Sequence, residues 1–323
     1  AWFSSGEAFP REISLSLEKL HGLRYGENPH QAGAIYRVRD RPAADFRPLS
    51  GKELSYNNYL DTAIASRVAA EFGSPAACMV KHGIPCGAAT AATLAEAATR
   101  AYEGDSLSAF GGILGLNRPL DLPTAKIIAS RMEFLEVIVA PVVAQEVVEQ
   151  LPGLARWGKN VRLVEAALPL PGGCSFRWLE GNMLCQEQDR WSEEDGAWEQ
   201  VAGAPVTPEV RGDLDLAWRV ARYVPSNAIV LAAGNRVVGV GSGQPNRVDA
   251  VKIAVQRAGS RARGAVLASD AFFPFPDSIA LARESGIAAI VEPAGAKKEA
   301  EVIAACRDGG VALFLCSRRH FRH

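Results

Sequence analysis

Apolar residues recur at helical spacing from Tyr56 to Phe72. The run that follows, Ala76 to Val80, is short, apolar and uninterrupted, as a buried strand is. A glycine-containing loop, Lys81 to Gly87, and an alanine-rich helix, Ala88 to Tyr102, come next. A strand at Gly112 to Leu116 leads to a helix opened by Asp121, with Pro123 two places on, and then to a strand at Leu135 to Ala140. The rhythm resumes after Pro208: a helix at Asp213 to Tyr223, a strand at Ala228 to Ala233, a Gly234-Asn235 hairpin turn and a strand at Val237 to Gly241. Beyond it, helices Val248 to Ala258, Asp277 to Ser285 and Lys297 to Arg307 alternate with strands Ala265 to Ala268, Ile287 to Val291 and Val311 to Leu315. Such alternation predicts layered α/β sheets in two halves of similar design. Residues 145 to 205, rich in Pro, Gly, Glu and Trp and without a clean period, read as a connector with some strand character. The expected division is 1–145 with an N-terminal linker, 146–205 as the connecting segment, and 206–323.

Composition narrows the function classes. The chain has 323 residues, 48% of them hydrophobic and 22% charged, which is enough to bury a sizeable core and excludes disorder as a description of the whole. The 35 basic and 36 acidic residues nearly cancel, so charge gives no reason to expect nucleic acid or a membrane as partner. No window reaches the ~18 apolar residues of a membrane helix; the best, Phe134 to Val143, is broken by Glu136 and Pro141. The stretch Trp2 to Glu7 has neither the basic region nor the apolar core of a signal peptide. The six cysteines are scattered, no two within four residues, and read as reduced, mostly buried thiols of a cytoplasmic protein without a zinc finger or ribbon.

Several places invite chemistry. Lys81-His82 lies past a buried-looking strand and ahead of the expected helix, where layered α/β proteins place ligands. A histidine exchanges protons near neutral pH, and a neighbouring lysine supplies a positive charge for an oxyanion. Two solvated cations in a helix-entry loop describe the same residues equally well. Only five histidines exist, and His30, His82 and His320 stand in dense polar contexts. Ser55 to Tyr59 is a knot of hydrogen-bonding side chains at a helix start, which a helix N-cap also explains. Gly239 to Gln244 is like a dinucleotide-binding turn but does not complete the G-x-G-x-x-G spacing. His82 to Cys86 is a faint echo of the zinc deaminase pattern, without its glutamate and second cysteine, so metal-activated water is not expected.

Taken as literal strings, these places match a family. L-R-Y-G-E-N-P-H-Q (Leu23 to Gln31), L-S-Y-N-N-Y-L-D (Leu54 to Asp61), V-K-H-G-I-P-C-G (Val80 to Gly87), S-A-F-G-G (Ser108 to Gly112) and Ser226 to Ile229 come in order. Gly241 to Arg247, S-D-A-F-F-P-F-P-D (Ser269 to Asp277) and the terminal Arg319 to His323 complete the set. Together they resemble AICAR transformylase, the formyltransferase part of a bifunctional purine-biosynthesis protein, from about Phe9 to His323.

The resemblance implies two cytidine-deaminase-like α/β/α subdomains without zinc, and a homodimer with active sites at the subunit interface. It also implies formyl transfer from 10-formyl-tetrahydrofolate, a co-substrate, to the 5-amino group of AICAR, with no metal required for the chemistry. His82 matches the family's catalytic histidine and Lys81 its lysine, while Asn227 matches an asparagine between nucleotide and folate. Arg24, Tyr25, Gly111, Glu136, Arg319 and Phe321 match positions on the nucleotide side. Arg247, Phe272, Asp277, Ala296 and Lys297 match the folate side, with Phe273 held as a second pterin neighbour.

Pro225, the loop Glu292 to Lys298 and Cys316-Ser317 depart from the family pattern, which puts details of the folate loop in doubt but not the reaction. The matched region does not extend to the cyclohydrolase part, so ring closure to inosine monophosphate is not expected of this chain. The other-class alternative is a non-catalytic nucleotide- or folate-binding module of the same fold. An ATP-dependent formate ligase would need an ATP-binding loop, and none is seen.

Overall fold

A computed structural model describes residues 9–39, 45–167 and 174–323. The Trp2 to Glu7 stretch lies outside the described residues. A two-stranded ribbon, β1 (Leu17–Leu23) with β2 (Gly33–Val38), precedes the first sheet. That sheet's unit runs β3 (Arg47–Ser50), α1 (Tyr56–Ala70), β4 (Ala76–Lys81), β5 (Ile84–Thr90), α2 (Leu94–Gly104), α3 (Ser106–Ala109), β6 (Gly112–Leu116), α4 (Leu122–Arg131), β7 (Leu135–Ala140), α5 (Gln145–Leu154) and β8 (Arg162–Glu165). A hairpin, β9 (Cys174–Leu179) with β10 (Asn182–Glu187), separates it from the second unit. The second runs β11 (Glu199–Ala202), α6 (Pro208–Ala221), β12 (Ile229–Ala232), β13 (Val237–Gly241), α7 (Arg247–Ala258), β14 (Val266–Ser269), α8 (Asp277–Glu284), β15 (Ala289–Pro293), α9 (Glu299–Gly309) and β16 (Ala312–Cys316).

The sheet orders are β3-β8-β7-β6-β4-β5 and β11-β16-β15-β14-β12-β13, one plan used twice. In each, three strands are parallel, and a hairpin joins one side and a single edge strand the other, antiparallel. Alternation along the strands sorts the core into layers. Cys78 and Val80 face a core shared with Val230, Ala232 and the α6 residues Leu214 and Trp218. Ala77 and Met79 face the first sheet's outer helices, and Ile229 and Leu231 the second's. The stretch read as a connector supplies a strand to each sheet, β8 between β3 and β7 and β11 at the edge of the second, as well as the β9–β10 hairpin.

Two expectations from the pattern need correcting. The residues from Lys81 to Gly87 are not a loop before a helix: they turn straight back into β5, and the helix starts only at Leu94, capped by Thr93. Alanine's helix propensity loses here because small residues are what let α2 lie close on β5. A Cβ on Gly87 would stand 2.0 Å from the Ala101 carbonyl oxygen. Two glycines of Gly239 to Gln244 have the same explanation, while Gly243 has open space and a φ of 66°. Gly239 and Gly241 lie in β13 under α7, where a Cβ would come within 2.2 Å of the Ala254 oxygen and 1.9 Å of the Ala250 oxygen. Both obstacles are backbone, so no rotamer relieves them. Gly241→Ala is expected to cost about 3 kcal/mol, the upper end for overpacking, read as a lowered urea midpoint. An unchanged midpoint would mean that α7 does not pack on β13 this closely.

Candidate active site

Strand register gathers the first set of residues. β4 runs antiparallel to β6, pairing Val80 with Ile113, and Gly112 pairs with Leu135 of β7. Lys81, His82, Gly111 and Glu136 therefore share one edge of the first sheet, at the amino ends of its parallel strands. Lys81-His82 is the tip of the β4–β5 hairpin, a correction to the helix-entry loop expected of it. His82 and Gly83 both have positive φ, 53° and 78°, as a tight hairpin turn of the primed type needs. The α1 carboxylate Asp61 holds that turn, accepting from the His82 and Gly83 amides at 2.9 and 2.7 Å. Burial pushes the Asp61 carboxyl above the usual range, and those amides, His82 and Arg322 pull it back.

The second unit provides an internal comparison. Asp213 of α6 accepts from the Gly234 and Asn235 amides at 2.8 and 2.6 Å, and both of those residues also have positive φ. The turn and its clamp thus belong to the repeated architecture. What differs is the side chain, an exposed imidazole at His82 where the other turn has Gly234. Beside it, the Lys81 ammonium donates to the Phe110 carbonyl at 2.5 Å.

The second set sits at the carboxyl ends of β14, β15 and β16, where open α/β sheets leave a crevice. A cleft of about 570 Å³ is lined by Asn227, Arg247, Phe272, Phe275, Asp277, Arg319 and Phe321, among others. Six residues expected from sequence thus meet in one cavity. The Arg247 guanidinium donates to Ser269, Asp270 and the Asn227 side-chain oxygen. The Asn227 amide nitrogen faces the Gln244 and Pro245 carbonyls at 2.7 and 3.1 Å, so serving an oxyanion would draw it from one of them. The Arg319 guanidinium stacks over the Phe321 ring, 4.6 Å from its centroid. Phe273 is not a cleft residue: it is fully buried in the outer core, and only Phe272 faces the cavity.

The C-terminal tail joins the two sets. Arg322 donates to the Gly83 carbonyl at 3.0 Å and to that of Tyr223, while its own carbonyl accepts from the Ser226 amide at 2.9 Å. The turn carrying His82 and the loop carrying Asn227 are therefore each one residue from an atom bonded to Arg322. Burial lowers the Arg322 guanidinium from its ordinary value, and Arg67 adds to the fall.

Sequence reasoning missed Asp270 and singled out His320 without its role in holding this arrangement. Asp270 is wholly buried and accepts from Arg247, the Ser226 hydroxyl and the Ala228 amide. His320 is buried against Trp218, its amide donating to the Asp270 carbonyl. Its ring nitrogens lie 2.7 Å from Asp189 and 3.3 Å from Asp195, the second within ionic reach but out of hydrogen-bond alignment.

The other expected residues lie outside the cleft. Glu136 accepts from the Asn58 side chain at 3.0 Å, with Arg162 at 4.0 Å. Gly111, at φ 71°, donates its amide to the Phe134 carbonyl. Arg24 and Tyr25 stack on each other at 5.7 Å in the turn after β1, and the next residue but one, Glu27, accepts from Asn57 of α1. Ala296 and Lys297 do not line the cleft; they precede α9, where the neighbouring Lys298 ammonium stands 5.5 Å from the Phe275 ring centroid. Among the described residues, no three His, Cys, Asp or Glu side chains converge as a metal site would require. No helix among them is long and apolar enough to cross a membrane.

Fold and site together define a twice-repeated α/β protein with an arginine-lined cleft tied by its own tail to a histidine-bearing hairpin. The chain belongs to the AICARFT/IMPCHase bienzyme family, whose model matches residues 1–257. It is 45% identical, over 98% of its length, to the bifunctional purine biosynthesis protein PurH of Rhodopirellula baltica, and 46% identical over 98% to that of Sorangium cellulosum. With the Cutibacterium acnes protein of the same name the identity is 44% over the whole chain. It spans 62%, 61% and 63% of the lengths of these three curated relatives.

Proposed function

We propose that this chain transfers the formyl group of 10-formyl-tetrahydrofolate to the 5-amino group of AICAR, giving FAICAR and tetrahydrofolate, in de novo purine biosynthesis. The observation that carries the reading is the junction at Arg322. Its side chain bonds the turn that carries an exposed imidazole, and its main chain bonds the loop whose asparagine lines a cleft with two arginines and an aromatic wall.

In this reading the AICAR amine attacks the formyl carbon, and His82 takes the proton that the nitrogen sheds. The oxyanion of the tetrahedral intermediate is met by Lys81 and Asn227. Its collapse breaks the bond between the carbonyl carbon and N10, and the proton held by His82 passes to that nitrogen. Arg24, Tyr25, Arg319 and Phe321 serve the nucleotide, the arginine forks suiting its phosphate, with Gly111 and Glu136 at its ring and ribose. Arg247, Phe272, Asp277 and the Ala296-Lys297 backbone serve the folate.

The same reading divides the chain at about 145 and 205 into two deaminase-like subdomains, zinc-free and joined by a connecting segment, in a cytoplasmic homodimer with shared active sites. The exposed Leu107 of α3 and Phe110 just after it, whose carbonyl holds Lys81, support a second copy at that face. The test is turnover with both substrates and no ATP. FAICAR and tetrahydrofolate are expected in equal amounts. AICAR binding without product would leave the non-catalytic binding module instead.

A further inference from the structure

The hydrogen-bonding knot at Ser55 to Tyr59 does more than cap a helix. Ser55 and Asn58 form a reciprocal capping box at the start of α1, in which the Asn58 side-chain oxygen accepts from the Ser55 amide at 3.1 Å. With its oxygen so committed, Asn58 has only its amide nitrogen to offer elsewhere. That nitrogen donates to the Glu136 carboxylate at 3.0 Å. Asn58 is 5% exposed, and its side chain is thus buried and bonded at both ends.

Glu136 is exceptional in its own strand. Gly112 of β6 pairs with Leu135 and Ile113 with Val137, so the pairing skips Glu136. Leu135 enters the outer core of the first sheet and Val137 the core shared by both sheets, while Glu136 belongs to neither. A skipped residue of this kind re-aims its side chain, a device found next to active sites. Asn58 at 3.0 Å and Arg162 at 4.0 Å both reach the carboxylate at Oε2, and the side chain keeps 43% of its surface exposed. The residues on either side of Asn58 in α1 hold other parts of the same region. Asn57 donates to the Glu27 carbonyl at 3.3 Å, just past Arg24 and Tyr25, and Asp61 grips the His82 turn.

We propose that Asn58 is a positioning residue: it fixes Glu136 by one carboxylate oxygen so that the other is presented to the ribose hydroxyls of the nucleotide. This rests on the reading of Gly111 and Glu136 as nucleotide-side residues. A carboxylate already held in place gives up less side-chain freedom when a ligand arrives. Asn58 therefore acts on AICAR affinity and leaves the chemical step alone.

The experiment uses the full chain with Asn58→Asp, which keeps the acceptor for the Ser55 amide, and with it the cap, but turns a carboxylate toward Glu136 in place of the donor. KM for AICAR should rise about tenfold, the worth of one hydrogen bond to a charged group. Both kcat and KM for 10-formyl-tetrahydrofolate should stay within about twofold of the parent. In a Glu136→Ala background the same substitution should move KM for AICAR by less than about twofold. A tenfold rise in both backgrounds would overturn the proposal, because Asn58 would then act without Glu136. No rise in either would equally sink it and leave Asn58 a helix cap alone. Should calorimetry find no AICAR binding to any of these proteins, the nucleotide reading fails by itself. Urea midpoints of the same set then decide whether Asn58 holds Glu136. Asn58→Asp should lower the midpoint of the parent and leave that of the Glu136→Ala protein unchanged, and equal losses would refute the coupling.

Discussion

Replacing His82 with alanine is expected to lower formyl transfer by ~10²–10⁴-fold, the usual loss when a positioned base is removed. AICAR affinity should stay within about tenfold, since loss of one neutral contact is worth ~0.5–1.5 kcal/mol. The turn should survive, because Asp61 grips the main-chain amides of His82 and Gly83 and touches no imidazole atom. Its counterpart in the second unit already forms with Gly234 at the matching place. His82→Gly separates chemistry from conformation. At a φ of 53° glycine relieves backbone strain, so that variant should be at least as stable as the parent and just as inactive as His82→Ala. The measurements are kcat and the AICAR dissociation constant by calorimetry. Parent-like turnover in either variant would remove His82 from the mechanism.

Periodicity made most elements legible because each buries one face locally. α1, β4, β6, α4 and β7 lie close to where the pattern puts them, as do the alternating elements from α6 to β16. β5 was hidden because its alanines score as helix, and only the close approach of α2, a tertiary fact, makes them strand. The strands β8 and β11, four residues each, sit in a stretch without a period, and each pairs with a strand more than 100 residues away, β8 with β3 and β11 with β16. The site divides along the same line. Residues in recognisable strings, from Lys81-His82 to Arg319 and Phe321, were found. Asp61 and Asp270 stand in those same strings and were passed over, because their roles depend on amides and guanidinium groups supplied from elsewhere in the chain. His320 was noticed as polar, yet its partners Asp189 and Asp195 lie in the patternless connector, where nothing local marks them.

Asp270 carries the largest expected effect on stability. Its carboxylate is wholly buried, and one oxygen serves both the Ala228 amide and the Arg247 guanidinium while the other accepts from the Ser226 hydroxyl. Arg247 is itself buried, so Asp270→Ala leaves a cation away from water with only the neutral oxygens of Ser269 and Asn227 beside it. Breaking one side of such a pair costs about 3–5 kcal/mol, a large share of the ~5–15 kcal/mol by which a domain is stable. The damage should also reach function, since Ser226 holds Arg322 and the Asp270 carbonyl holds His320, the two anchors of the tail. Urea unfolding followed by tryptophan fluorescence is the apt probe, because Trp218 lies against His320, with ring centroids 5.0 Å apart. Adding Arg247→Leu to Asp270→Ala removes the stranded charge, and the double variant should recover part of the lost stability while remaining weak for folate. If Asp270→Ala unfolds within about 1 kcal/mol of the parent, the value of a solvated surface pair, then water reaches Arg247 and the pair does not hold the cleft together.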